Sequence, residues 1–184
     1  LRTSRCRRLW CDRPVTDPDE PARLREVAVT VAAEAAAFVR RRRAEVFGPR
    51  TELGSDADAV RTKTTPTDPV TVVDTETEQL LRDRLAVLRP GDPILGEEGG
   101  GPRDPSAGAA GAVTWVLDPI DGTVNFVYGL PAYAVSVGAQ ISGVSVAGAV
   151  ADVVAGRGDS AAAGLGGHGT DGHGPRKGGV AERS

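Results

Sequence analysis

Methionine is absent from the 184 residues, and cysteine, histidine and aromatic side chains are scarce. The two cysteines, Cys6 and Cys11, both fall near the start of the chain and cannot build a disulfide framework. The two histidines, His168 and His173, stand in a glycine-rich stretch with no cysteine or further histidine. They read as solvated side chains rather than metal ligands. Aromatics make up 4%, too few for a base-stacking platform, and a net charge of −3 provides no basic field, so no nucleic-acid partner is expected. No apolar run is long enough to span a bilayer. The best candidate, Val27 to Val39, is interrupted by Glu34. The arginines near the start have no apolar segment behind them, so no secretory signal and no membrane partner are expected. A soluble, cytoplasmic protein is the resulting expectation. A leucine in first place and no methionine anywhere are what an unusual start codon, a fragment or an imperfect gene reading would leave.

The chain then divides into unequal stretches. Residues 1–19 are Arg-rich, Pro-punctuated and aperiodic, and read as a disordered lead-in. From Glu20 the apolar residues Leu24, Val27, Val31, Ala35 and Phe38 recur at helical spacing, with Pro21 in the first turn and Gly48-Pro49 as the stop. The run Arg40–Arg43 reads as the solvated last turn of that helix. Pro69 to Val73 alternates and is β-branched, which predicts a short strand. Asp74 would then cap a second helix bearing Leu81, Leu85 and Leu88 on one face. Short strands are predicted at Pro93–Leu95, Ala112–Leu117, Tyr133–Gln140 and Val144–Val150, the last two joined at Ser142-Gly143. Residues 20–155 read as one domain, and 156–184 as a Gly-rich, partly disordered tail.

The chemistry concentrates in Trp115-Val-Leu-Asp118-Pro119-Ile120-Asp121-Gly122-Thr123. An apolar strand ends in an aspartate, a proline restricts the next φ, and a second aspartate follows three residues on. Two carboxylates that converge repel each other unless a cation lies between them, and a divalent, oxygen-preferring ion suits them. Asp-Gly-Thr then opens a helix whose first amides would face an anion. A lone Asp-x-x-Asp before glycine is usually a capped turn. Glu97, at the end of another strand, supplies a third carboxylate and weighs against that bland reading. Glu98 reads as a solvated loop acid, and Asp74 in isolation as a helix cap.

Three blocks, KTTPTDPVTVVD (63–74), GEE (96–98) and WVLDPIDGTVNFVYGLPAYAVSVGAQ (115–140), resemble the inositol monophosphatase family in order and spacing. The resemblance runs over residues 20–174, including a glycine-rich hairpin at Ser160–Gly169. It implies an α/β (mixed α+β) layered sandwich of the sugar-phosphatase type, with N-terminal helices packed on a largely antiparallel sheet. It implies Mg²⁺ as cofactor, with Glu97, Asp118, Asp121 and the Ile120 carbonyl as ligands and Asp118 bridging two ions. Glu97, Thr123 and Asp74 would be catalytic, with Thr123 turned towards Asp74 and both Thr123 and Glu97 towards the attacking water. The amides of Gly122 and Thr123 would bind the substrate phosphate, and Lys63 would lie in a loop near the site. The reaction implied is hydrolysis of myo-inositol monophosphate to inositol and phosphate by direct attack of a metal-activated water.

Family members continue into a second α/β half carrying a Trp-Asp-x-Ala-Ala block with a further ligand. Here neither Trp10 nor Trp115 is followed by aspartate. That leaves two expectations of different class: a Mg²⁺-dependent phosphomonoesterase, or a truncated and catalytically inactive family member. Histidinol phosphate, fructose bisphosphate and phosphoadenosine nucleotides are alternative substrates handled by the same ligands. The context of Val124, Tyr128 and Tyr133 resembles the inositol branch. Homodimers are common in the family, and without the second half an apolar sheet face would be left open.

Overall fold

The computed structural model describes residues 20–48, 69–97, 111–171 and 174–178. Helix α1 (Glu20–Phe47) ends at Gly48, whose φ of 77° lies in the left-handed region that glycine enters freely. Its buried stripe is Leu24, Ala28, Val31, Ala32, Ala35, Ala36 and Val39. Val39 takes the inward place expected of Phe38, and the small alanines let the helix lie close over the sheet.

Helix α2 runs from Pro69 to Leu88. The strand expected at 69–73 is therefore helical, and Asp74 is an interior helix residue rather than a cap. Proline is well suited to a first helical position, where its missing N–H costs nothing. Packing also overrides β propensity here, because Val73, Thr77, Leu81 and Leu85 form one fully buried stripe at four-residue spacing. Thr77 reconciles itself to that stripe by donating its hydroxyl to the Val73 carbonyl, at 2.6 Å. Leu88, expected on the same face, is exposed.

Among the described residues seven strands follow, in sheet order identical to chain order: β1 (Ile94–Gly96), β2 (Val113–Asp121), β3 (Ala134–Ile141), β4 (Val144–Asp152), β5 (Gly158–Ala162), β6 (Gly166–Asp171) and β7 (Gly174–Gly178). β1 and β2 are parallel, and every later pair is antiparallel. Within the described residues the segment read as a partly disordered tail therefore continues the sheet. Its low strand propensity is offset by pairing and by contacts from outside. Thr170 bonds both the amide and the carbonyl of Gly158, and Arg25 of α1 donates to Nδ1 of His168 at 2.9 Å. The β3–β4 turn has φ of 51° at Ser142 and 77° at Gly143, a type I′ hairpin as the dipeptide suggested.

Helix α1 crosses β3, β4 and β5, and α2 packs on α1 and β2. The core between the layers holds Trp115, Leu117, Val135, Val137, Ala139, Ala147 and Ala149 beneath the helical stripes. Trp115 is fully buried and donates its indole N–H to Asp92 at 3.0 Å. Arg89 then ties Asp92 to Glu20, so one polar knot joins the start of α1, the end of α2 and the centre of β2. The chain is a mixed α+β fold, two helices on a largely antiparallel sheet. Among the described residues no helix is long and apolar enough to cross a membrane.

Candidate metal and phosphate site

Alternation along β2 puts Val113, Trp115 and Leu117 under the helices, and Thr114, Val116 and Asp118 on the opposite face. Asp121, three residues further, would normally point the other way. The register shows why it does not. Asp118 pairs with Ser136 and Asp121 with Ala134, so three steps on β2 match two on β3. One extra residue is absorbed as a bulge around Pro119 and Ile120, and both aspartates occupy register positions on the same face. Proline fits there because it has no N–H to lose from the ladder.

The parallel pair β1–β2 brings the third carboxylate alongside. Gly96 is level with Leu117, so Glu97 follows next to Asp118. The electrostatics agree with that placement. Burial above all, then the charges of Glu97 and Asp121, push the Asp118 carboxyl above the usual carboxylate range, against a hydrogen bond from the Ile120 backbone. Oδ1 of Asp118 is sealed from solvent and has no hydrogen-bond partner among the described residues.

A buried, orphaned carboxylate oxygen beside two further carboxylates is a hard-oxygen donor set, and it fits a divalent cation such as Mg²⁺. Among the described residues, no three Asp, Glu, His or Cys side chains close into a complete cluster. The donors are neighbours along two strand ends rather than a finished shell.

Beyond Asp121, Gly122 has φ 91° and starts helix α3 (Thr123–Tyr128) with no side-chain cap on its first amides. The left-handed backbone is not the sole reason for glycine. A Cβ at 122 would lie 2.9 Å from the Ala132 carbonyl oxygen. The Thr123 hydroxyl, expected to turn towards Asp74, is donated to the Ile120 carbonyl at 3.0 Å. Asp74 is buried on α2, 8% exposed. The far end of α3 is gripped by α1. Arg43 donates Nε to the Phe126 carbonyl at 2.9 Å and lies over the rings of Phe47 and Phe126. The arginine run is thus anchored rather than merely solvated, since Arg42 also pairs with Glu76 of α2 and with Glu45. Lys63, Asp68, Glu98 and His173 lie outside the described residues.

Sequence reading passed over Glu78. It is 2% exposed, bonded by Arg82 Nε at 2.8 Å, and its carboxylate occupies the space a side chain on Gly96 would need. Its spacing of four from Asp74, on the buried stripe of a helix, was the available signal.

The family model for the inositol monophosphatase family matches residues 20–177. An inositol-1-monophosphatase of Mycobacterium leprae is 73% identical over 162 residues, covering 87% of this chain and 55% of the relative. The inositol-1-monophosphatase SuhB of Mycobacterium tuberculosis is 72% identical over 158 residues, covering 85% and 54%. A solved structure of Mycobacterium tuberculosis SuhB superposes with a TM-score of 0.67 at 61% identity, over 87% of this chain and 54% of that one. The chain spans about half the length of the curated relatives it matches. On the family match from α1 to β7, the chain belongs to the inositol monophosphatase family.

Proposed function

We propose that this chain carries the metal and phosphate half of a Mg²⁺-dependent phosphomonoesterase acting on myo-inositol monophosphate in the cytoplasm. The observation that carries this reading is the bulge in β2, which turns Asp118 and Asp121 to one face beside Glu97, with Asp118 Oδ1 buried and without a partner among the described residues. The names of the relatives support the substrate class.

Glu97, Asp118, Asp121 and the Ile120 carbonyl would hold Mg²⁺, which supplies Lewis-acid polarisation of the phosphoryl oxygens and lowers the pKa of water. The first amides of α3, at Gly122 and Thr123, which no side chain among the described residues caps, would bind the phosphate oxygens at the positive end of the helix. Thr123 has its own proton committed to Ile120, so its oxygen is left to accept a hydrogen bond from the attacking water. Glu97, exposed at the tip of β1, is the carboxylate available to orient that water and take its proton. Asp74 supports the cluster from the buried face of α2. No side chain is needed as a nucleophile, and attack is in line on phosphorus.

The test is phosphate release from myo-inositol 1-phosphate by the purified chain, with and without Mg²⁺, beside Asp118→Asn. Mg²⁺-dependent release that is lost in the variant is the expected result. A second reading, an inactive member that binds metal without turnover, is favoured by the unclosed cluster among the described residues. It predicts a folded chain with metal binding and no release.

A further inference from the structure

Glu97 sits one residue beyond the end of a three-residue strand, which is little backbone to hold a metal ligand in place. What stands behind that strand is Glu78. A Cβ on Gly96 would lie 2.6 Å from Oε2, and nearer still to the carboxyl carbon and Oε1. With Arg82 holding it in place, the carboxylate fills the volume that a side chain at 96 would need.

A buried glutamate is costly unless it is charge-paired, and Arg82, one turn along α2, holds it by Nε at 2.8 Å. Helix α2 is itself fixed by its buried stripe and by the Trp115–Asp92–Arg89 knot at its end. Helix α2 thus places one buried carboxyl side chain against the last residue of β1. By register, Gly96 faces the helices and Glu97 lies next to Asp118 on the other face.

We infer that Glu78 is a positioning residue for Glu97, acting through Gly96 to set where the Glu97 carboxylate meets Asp118. This rests on the carboxylate-cluster reading above. Glu78 touches neither phosphate nor water in this account. It sets the place of a ligand from the opposite side of the sheet.

The test uses Mn²⁺ titration of the full 184-residue chain, together with amide hydrogen exchange over residues 94–97. Gly96→Ala is expected to weaken Mn²⁺ binding about 10- to 100-fold, the usual range for groups that orient metal ligands. Glu78→Ala should weaken it too, and should accelerate exchange over 94–97. The double variant should recover part of the Gly96→Ala loss, because removing the carboxylate makes room for the new methyl. Glu78→Gln keeps the shape and should retain most of the affinity. Arg84→Ala, which breaks an exposed α1–α2 pair with Glu34, is the control and should change neither readout.

A merely structural role would lower the melting temperature and leave the affinity of the folded molecules and the exchange unchanged, and that result overturns the proposal. Should Glu78→Ala fail to fold, wild-type affinity in Gly96→Ala overturns it equally. Should the wild type bind no Mn²⁺, the cluster reading fails, and the exchange data alone decide the positioning role.

Discussion

Asp118 is placed where a carboxylate is least comfortable by itself. Its Oδ1 is buried without a partner among the described residues, and Glu97 and Asp121 add like charge. Replacing it by asparagine removes the repulsion while keeping the shape. The metal-free chain should therefore melt higher as Asp118→Asn than as wild type, while the rise in melting temperature on adding Mg²⁺ should vanish. Thermal melts with and without Mg²⁺ check both signs. A variant that melts lower without metal would mean that Asp118 is a structural residue. The aspartates were legible in the sequence because a strand, a proline and a glycine in succession announce a re-aimed turn. The partner of Thr123 was not. A hydroxyl chooses between near acceptors in three dimensions, and the Ile120 carbonyl lies three residues away along the same bulge. Gly122 is held by two constraints at once, its φ and the Ala132 carbonyl. Gly122→Ala should cost about 1–2 kcal/mol, the scale of a strained left-handed residue, in a urea melt.

Among the elements, α3 shows how a six-residue helix with no core of its own is kept in place. Its C-terminal carbonyl takes the Arg43 guanidinium, and Phe126 packs edge-on against both Phe47 and Tyr133. Arg43→Ala should lose about 1.5–3 kcal/mol, the range for hydrogen bonds to charged groups, as read by denaturant unfolding. Arg43→Lys should recover little of that, since an ammonium cannot both stack and fork. The first helix, the hairpin and the apolar strands were legible from periodicity and turn residues. The start of α2 was not, because Pro-Val-Thr-Val-Val alternates like a strand while four-residue spacing from Val73 onward serves a helix. The burial that decides between them is a tertiary fact. Strands β5–β7 were hidden from propensity for the opposite reason, although the family resemblance included a hairpin at Ser160–Gly169. Glycine and alanine are poor strand formers, and what orders them is pairing, β5 on β4, β6 on β5 and β7 on β6, with Arg25 of α1 holding His168 of β6.

Over the whole molecule, one layer of helices covers one face of the sheet, and the carboxylates stand at the edge of the other. On that second face Val116, Gly138, Gly148, Ala161 and Gly167 share a register row across five strands. Stability rests on the covered side, with Trp115 at its centre. Trp115→Ala should cost about 3–5 kcal/mol, a large part of the usual stability of a domain, and should leave much of the chain unfolded by circular dichroism at ambient temperature. The sequence conveyed the family, which resides in short contiguous motifs, and it put forward the carboxylates that the strand register brings side by side. It conveyed nothing of the support from Glu78, which reaches Gly96 across the gap between a helix and a strand.

On the proposed reading, the ends of β1 and β2 form a divalent-cation site. The most direct measurement is calorimetric titration of Mg²⁺ into the folded chain, side by side with Asp118→Asn. Saturable binding by the wild type that is lost in the variant is the predicted result. Equal binding by both, or none by a wild type shown to be folded, would contradict it.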